Sequence, residues 1–213
     1  MEQFPEWSPF HGMQISSHTP LNTIATTRYT CPSCNQSRRY FCYTCAQVAP
    51  GITPPSVTLP IPKLTVIKAP REIEGKSTAV QAKIVSSGQV SLQSSLEYTP
   101  KEGEVTVVLF PAEDAVQPTE IDWTLVANVV VIEGTWRQAK AIEKLIPTSV
   151  KRVALPPDRK TAFWRYQQFG DNCLSTIEAI HALMSIVCAL RDGGVYDGEC
   201  DDLLWFYSHQ YHL

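Results

Sequence analysis

The run Val-Val-Val-Ile at 129–132 limits what this chain can fold into more than any other stretch. Four consecutive β-branched or apolar residues do not alternate between a wet and a dry side. A strand made of them is therefore buried on both faces, as in a parallel sheet covered by helices. The flanking segments agree: strand-like runs stand at 64–68, 105–110 and 152–155, and helical patterns at about 77–85, 138–146 and 175–191. Strands alternating with helices imply parallel crossovers and an α/β domain. With 213 residues, 44% hydrophobic and 18% charged, the chain can build one such core plus a small appendage; neither a fibre nor a disordered tail protein fits that composition. No stretch approaches the roughly 18 apolar residues of a membrane span, and residues 1–20 lack the basic and apolar regions of a signal peptide. A soluble, intracellular protein with no membrane partner and no obligate protein partner is expected.

The appendage is marked by cysteines. Cys31-Pro-Ser-Cys34 and Cys42-Tyr-Thr-Cys45 form two CxxC pairs separated by seven residues. Two such knuckles can close four thiolates around one zinc ion, and a reducing compartment keeps the thiols available. Two disulfides or unliganded core cysteines are the competing reading. A full four-thiolate shell has no open position for a reacting water, so this zinc is structural and catalysis must lie elsewhere. Residues 28–48 hold Arg28, Arg38 and Arg39 with no acidic residue, together with Tyr29, Tyr40, Phe41 and Tyr43. That combination suits RNA, at Arg38 and Arg39 in particular, although the aromatics could equally pack a small core around the metal. Five prolines between 49 and 62 predict an extended linker. The expected organisation is then a flexible segment over 1–27, a zinc module over 28–48, the linker over 49–62 and a catalytic domain over 63–213.

Within that domain, Ser175-Thr-Ile-Glu178 matches a helix capping box, and Ile177, Ile180, Leu183, Met184, Val187 and Leu190 follow at helical spacing. His181 and Cys188 fall in the same run and are expected as packed core residues. Three loops lie at predicted strand or helix ends: Phe110-Pro-Ala-Glu-Asp-Ala115, Glu133-Gly-Thr-Trp136 and Cys173-Leu-Ser-Thr-Ile-Glu178. Ligands in parallel sheets gather at the carboxyl ends of the strands, where a carboxylate, an indole and open helix amides would meet. Glu133 could act there as a general base, hold an amine, or cap the helix that follows.

These loops, with Lys160-Thr-Ala-Phe-Trp-Arg165, Leu174-Ser-Thr-Ile-Glu-Ala179 and the CxxC pair, resemble in this order the DTW-domain family, the tRNA-uridine aminocarboxypropyltransferases. Pro70-Arg-Glu-Ile-Glu-Gly-Lys-Ser-Thr-Ala79 and Asp202-Leu-Leu-Trp-Phe-Tyr-Ser-His-Gln-Tyr211 are similar to its eukaryotic type-one branch. The family writes Asp-x-Thr-Trp where this chain has Glu133-Gly-Thr-Trp136, which moves the carboxylate by about a bond length. The resemblance implies a SPOUT-like parallel sheet, a fold in which a trefoil knot can occur. It further implies transfer of the 3-amino-3-carboxypropyl group of S-adenosylmethionine to N3 of a D-loop uridine in tRNA, releasing methylthioadenosine. In that reading Glu133 is the catalytic base, and Phe110, Pro111, Thr135, Trp136, Leu174, Ser175 and Thr176 surround the donor. The location implied is the nucleus, with the cytoplasm open as well. A SPOUT-type RNA methyltransferase and a catalytically silent zinc-containing RNA-binding protein are the alternatives.

The formal charge of −3 argues at first against an RNA partner. Along the chain it divides unevenly. Residues 136–165 hold Arg137, Lys140, Lys144, Lys151, Arg152, Arg159, Lys160 and Arg165 against only Glu143 and Asp158. Arg137, Lys140, Arg159, Lys160 and Arg165, together with the arginines of the cysteine module, are the expected phosphate contacts.

Overall fold

The computed structural model describes residues 1–24, 27–70, 74–163 and 173–213. In chain order its elements are α1 (Thr19–Thr23), β1 (Tyr29–Thr30), β2 (Ser37–Arg38), β3 (Leu64–Lys68), α2 (Ala79–Val85), β4 (Val90–Gln93), β5 (Val105–Leu109), β6 (Val126–Glu133), α3 (Trp136–Glu143), β7 (Lys151–Val153), α4 (Thr176–Arg191) and α5 (Trp205–Tyr211). Short 3₁₀ turns precede α2, β6 and α5.

Five strands form one sheet in the order β4-β3-β6-β5-β7, and every pairing in it is parallel. The Val-Val-Val-Ile run is the centre of β6, the middle strand, and Val129 and Val130 are wholly buried. Successive residues of a strand point to opposite faces, so the run serves two cores. On one face Val66, Val107, Val129 and Val131 meet Val80 of α2 and Ile177, Ile180, Leu183 and Met184 of α4. On the other, Ile67, Val108 and Val130 meet Ala139 and Ile142 of α3 with Ile146 and Val150 beyond it. This is the α/β architecture expected from the alternation of strands and helices.

Two expected boundaries are corrected. Residues 1–24 are not a flexible segment. Phe10, Ile15 and Leu21 are buried in the larger core, and the backbone is tied to the C-terminal region. The Gln14 amide donates to Asp201, the Ser16 amide to Asp202, and the Trp205 indole to the Ser17 carbonyl. Nor is the proline-rich stretch a free spacer. Ile52, Val57, Leu59 and Ile61 are buried, and the Val57 amide donates to the Val85 carbonyl at 2.8 Å. Prolines hold this strand-like strap extended while alternate side chains reach the core.

The cysteine module is fused to the same core rather than hung from it. Phe41 packs edge-on against Phe206 of α5 with centroids 4.7 Å apart, and the Tyr40 hydroxyl lies 3.1 Å from His209 Nε2. The expected small core around the metal therefore continues into the main domain.

Candidate active site

The carboxyl ends of the strands gather the three loops singled out in the sequence. Phe110, just past β5, meets the Trp136 ring edge-on at 5.9 Å. Trp136 opens α3 and donates its indole N–H to the Cys173 sulfur at 3.1 Å. Cys173 and Leu174 lead into Ser175, which starts α4. The predicted donor-site residues Phe110, Pro111, Trp136, Leu174, Ser175 and Thr176 thus come to one sheet edge. At the mouth of α4, the buried Ser175 side chain and Glu178 form a reciprocal capping box, with Glu178 reaching back to accept from the Ser175 amide at 2.7 Å. Glu178 also accepts from the Thr161 hydroxyl and the Ala162 amide, which fastens the segment after β7 to the same helix start. Thr135 is exposed, and its hydroxyl caps α3 in a reciprocal pair with Gln138.

Glu133 differs from the expected base. It is 4% exposed, and both carboxylate oxygens turn inward. One accepts from the Ser77 hydroxyl at 2.5 Å, the other from the amides of Thr78 and Ala79, each at 3.0 Å. Three of about four acceptor sites are then filled. The side chain is a helix cap, though for α2 and not for the helix that follows it in sequence. A carboxylate at a helix N-terminus satisfies amides that have no intrahelical partner and meets the positive end of the helix dipole. Glu133 is therefore a positioning residue, and the role of base is withdrawn from it. Gly134 allows the tight turn beyond: a Cβ there would sit 2.9 Å from that of Ala69 at the end of β3.

The metal expectation fits the module. Cys31, Cys34, Cys42 and Cys45 present sulfurs that all lie within 4.8 Å of one another, and none forms a disulfide. Zinc–sulfur bonds of about 2.3 Å in a tetrahedron need comparable separations. Each CxxC is a turn of the same design. The Asn35 amide returns to the Cys31 carbonyl and the Ala46 amide to Cys42, with Asn35 at φ 55° and Ala46 at φ 53°. Burial and its sulfur neighbours push the Cys45 thiol up to about 12. Against the effect of burial, the amides of Cys45 and Thr44 pull Cys42 down to about 6. Four crowded thiols cannot all ionise without a cation among them, which is the charge a bound zinc would supply.

The cations expected to contact RNA divide into two kinds. Arg137 and Lys140 are exposed along α3, Lys160 is exposed and Arg159 half-buried. Arg39 is exposed with its guanidinium 5.6 Å from the Tyr40 ring, and Arg38 lies 5.3 Å from the Tyr43 ring. Arg165 lies outside the described residues. Arg152 leaves the track: it is 5% exposed, paired with Glu143 and donating to the carbonyls of Ile146, Pro147 and Val150. His181 and Cys188 are buried as expected. His181 lies 2.9 Å from Asp201; although burial works against it, hydrogen bonds from His181, the Gln14 amide and Tyr196 hold the Asp201 carboxyl below the usual range.

Two cavities lie elsewhere. One, of about 490 Å³, is lined by Gln14, Arg159, His181, Tyr196 and Asp201, and the other, of about 470 Å³, by Val105, Val126 and Lys151 at the amino ends of the strands. The polar groups on the floor of the first already satisfy one another, whereas the strand ends combine aromatic faces with the start of α4. The strand ends are therefore the candidate site.

A parallel α/β protein with its ligand site at the carboxyl edge and a four-cysteine module on its flank is the class these features define. The chain belongs to the DTW domain family, whose pattern matches residues 28–213. It is 32% identical over 254 aligned residues to tRNA-uridine aminocarboxypropyltransferase 1 of Xenopus laevis, covering 95% of this chain and 86% of that one. The protein of the same name from Mus musculus is 30% identical, with 98% and 88% covered. Among solved structures, the SAM-dependent rRNA:acp-transferase Tsr3 from Vulcanisaeta distributa aligns with 71% of this chain and 83% of its own, at TM-score 0.47 and 22% identity.

Proposed function

We propose that the protein transfers the 3-amino-3-carboxypropyl group of S-adenosylmethionine to N3 of a D-loop uridine in tRNA. The relatives from frog and mouse are named as tRNA-uridine aminocarboxypropyltransferases. One observation supports it most: motif residues spread over more than sixty positions of sequence, Phe110, Trp136 and Cys173, meet in turn at one sheet edge, beside the start of α4. In the reaction, uridine N3 bonds to the chain carbon next to sulfur. The carbon–sulfur bond breaks with its electron pair left on sulfur, the N3 proton leaves, and methylthioadenosine departs.

In this reading Ser175 and Thr176 hold the amino-acid end of the donor at the helix start, where the positive end of the helix dipole favours a carboxylate. Phe110, Pro111, Trp136 and Leu174 offer apolar and aromatic surface to the adenosyl end, and Thr135 shapes the turn between them. Arg137, Lys140, Arg159 and Lys160, with Arg38 and Arg39 on the cysteine module, contact tRNA phosphates. Zinc holds the module through Cys31, Cys34, Cys42 and Cys45. A nuclear site of action, with the cytoplasm also open, belongs to the same proposal.

The test is to incubate the purified protein with S-adenosylmethionine and unmodified tRNA and to identify the nucleoside released. Methylthioadenosine with a modified uridine is expected. S-adenosylhomocysteine would make the protein a methyltransferase, and tRNA binding with neither product would leave a silent RNA-binding protein.

A further inference from the structure

The end of β6 and the starts of α2 and α4 are joined by a chain of buried hydrogen bonds, and its pivot is Thr78. The Thr78 amide donates to Glu133 at the end of β6. Its hydroxyl oxygen accepts from the amide of Ile177, 99 positions away in the first turn of α4, at 3.1 Å. Thr78 is 6% exposed and Ile177 fully buried.

Thr78 stands at the N-cap of α2, yet its side chain makes no cap bond to its own helix. A Thr at that position ordinarily bonds an amide two or three residues on. Here the hydroxyl is spent on α4, and Glu133 supplies the cap that α2 lacks. The start of α2 is capped by Glu133 of β6, and the start of α4, besides its own Ser175–Glu178 box, is held by Thr78, so the first turn of α4 is tied to β6 through α2. Ser175, the N-cap of α4, is two residues before Ile177.

We propose that Thr78 is a positioning residue for the donor: it holds the start of α4 against the end of β6 in the geometry that receives S-adenosylmethionine, and Glu133 acts through it. This rests on the transferase reading. It predicts an effect on donor affinity that a purely stabilising hydrogen bond would not give.

Thr78→Val keeps the branched shape and removes the acceptor; Thr78→Ser keeps the acceptor. Thr78→Val is expected to raise KM for S-adenosylmethionine about tenfold, with kcat at saturating donor and KM for tRNA both within about twofold of the parent. Thr78→Ser should restore the parent KM. Should Thr78→Val not fold, Ser77→Ala, which removes the hydroxyl donor to Glu133, is expected to raise the donor KM in the same direction. An unchanged donor KM in the folded variant, or a fall in kcat alone, overturns the proposal. If the parent protein forms no methylthioadenosine, the transferase reading fails first. Calorimetric binding of S-adenosylmethionine to the parent and to Thr78→Val then decides the role of Thr78: equal affinities, or no binding to either, refute it.

Discussion

A carboxylate at the end of a buried parallel strand can face a ligand or turn back to bind the protein itself, and Glu133 turns back. Its extra methylene relative to the family's Asp reaches Ser77 and the two amides beyond. Shortening it by one bond, about 1.5 Å, cannot keep all three contacts unless β6 or α2 moves. Glu133→Asp is therefore expected to slow transfer at least about tenfold. It should also lower the melting temperature by roughly 3–10 °C, since a hydrogen bond to a charged group is worth about 1.5–3 kcal/mol. Initial rates and a thermal melt on the same preparation check this; a more active Asp variant would put the carboxylate back in the cleft. The residue was legible in the sequence as a strand-end acid. Its partners were not, because they lie 54–56 positions away and nothing local links Glu133 to Ser77.

At the scale of elements, sequence pattern worked where the pattern was local. The central strand was visible as a β-branched run, and α4 was visible from its Ser175 and Glu178 box, which the structure retains. Strand β4 was missed: Val-Ser-Leu-Gln is a short edge strand, with only Val90 buried. The cationic stretch after Trp136 was read as one track, yet its members separate once α3 and β7 are in place. Arg152 satisfies the carbonyls at the end of α3, whereas Arg137 and Lys140 face solvent. Arg152→Met should thus cost about 3 kcal/mol or more by leaving Glu143 and several carbonyls without their donor. The salt dependence of tRNA binding should be unchanged. Removing Arg137 or Lys140 should reduce the slope of log K against log salt by about 1 each, with little effect on the melting temperature. Binding titrations at several salt concentrations separate the two classes; a changed slope for Arg152→Met would return it to the surface track.

Over the whole molecule, the segments expected to hang free are the ones that close it. Residues 1–24, the cysteine module and α5 meet at His209, whose ring lies 5.1 Å from those of His18 and Tyr40. Burial pushes His209 down to about 4, and burial likewise lowers His18. An unfolded histidine takes up a proton near pH 6.5. Between there and about pH 4 the unfolded chain binds protons that the folded one refuses, so stability is lost as pH falls through that window. The melting temperature should decline from pH 7 to pH 5. In His209→Gln that decline should be shallower, and an equal decline would show that the charge is carried elsewhere. No sequence window could reveal this junction, since the composition of residues 1–24 reads as a tail and the burial of Phe10, Ile15 and Leu21 comes from partners near the other end.

The bond from the Gln14 amide to Asp201 spans 187 positions. At about 5–20 residues per second, a ribosome that has just made Gln14 needs roughly 10–40 s to make its partner. Through that interval Phe10, Ile15 and Leu21 have no α5 to lie against. The nascent chain must keep its first apolar residues from other company until nearly its last ones emerge.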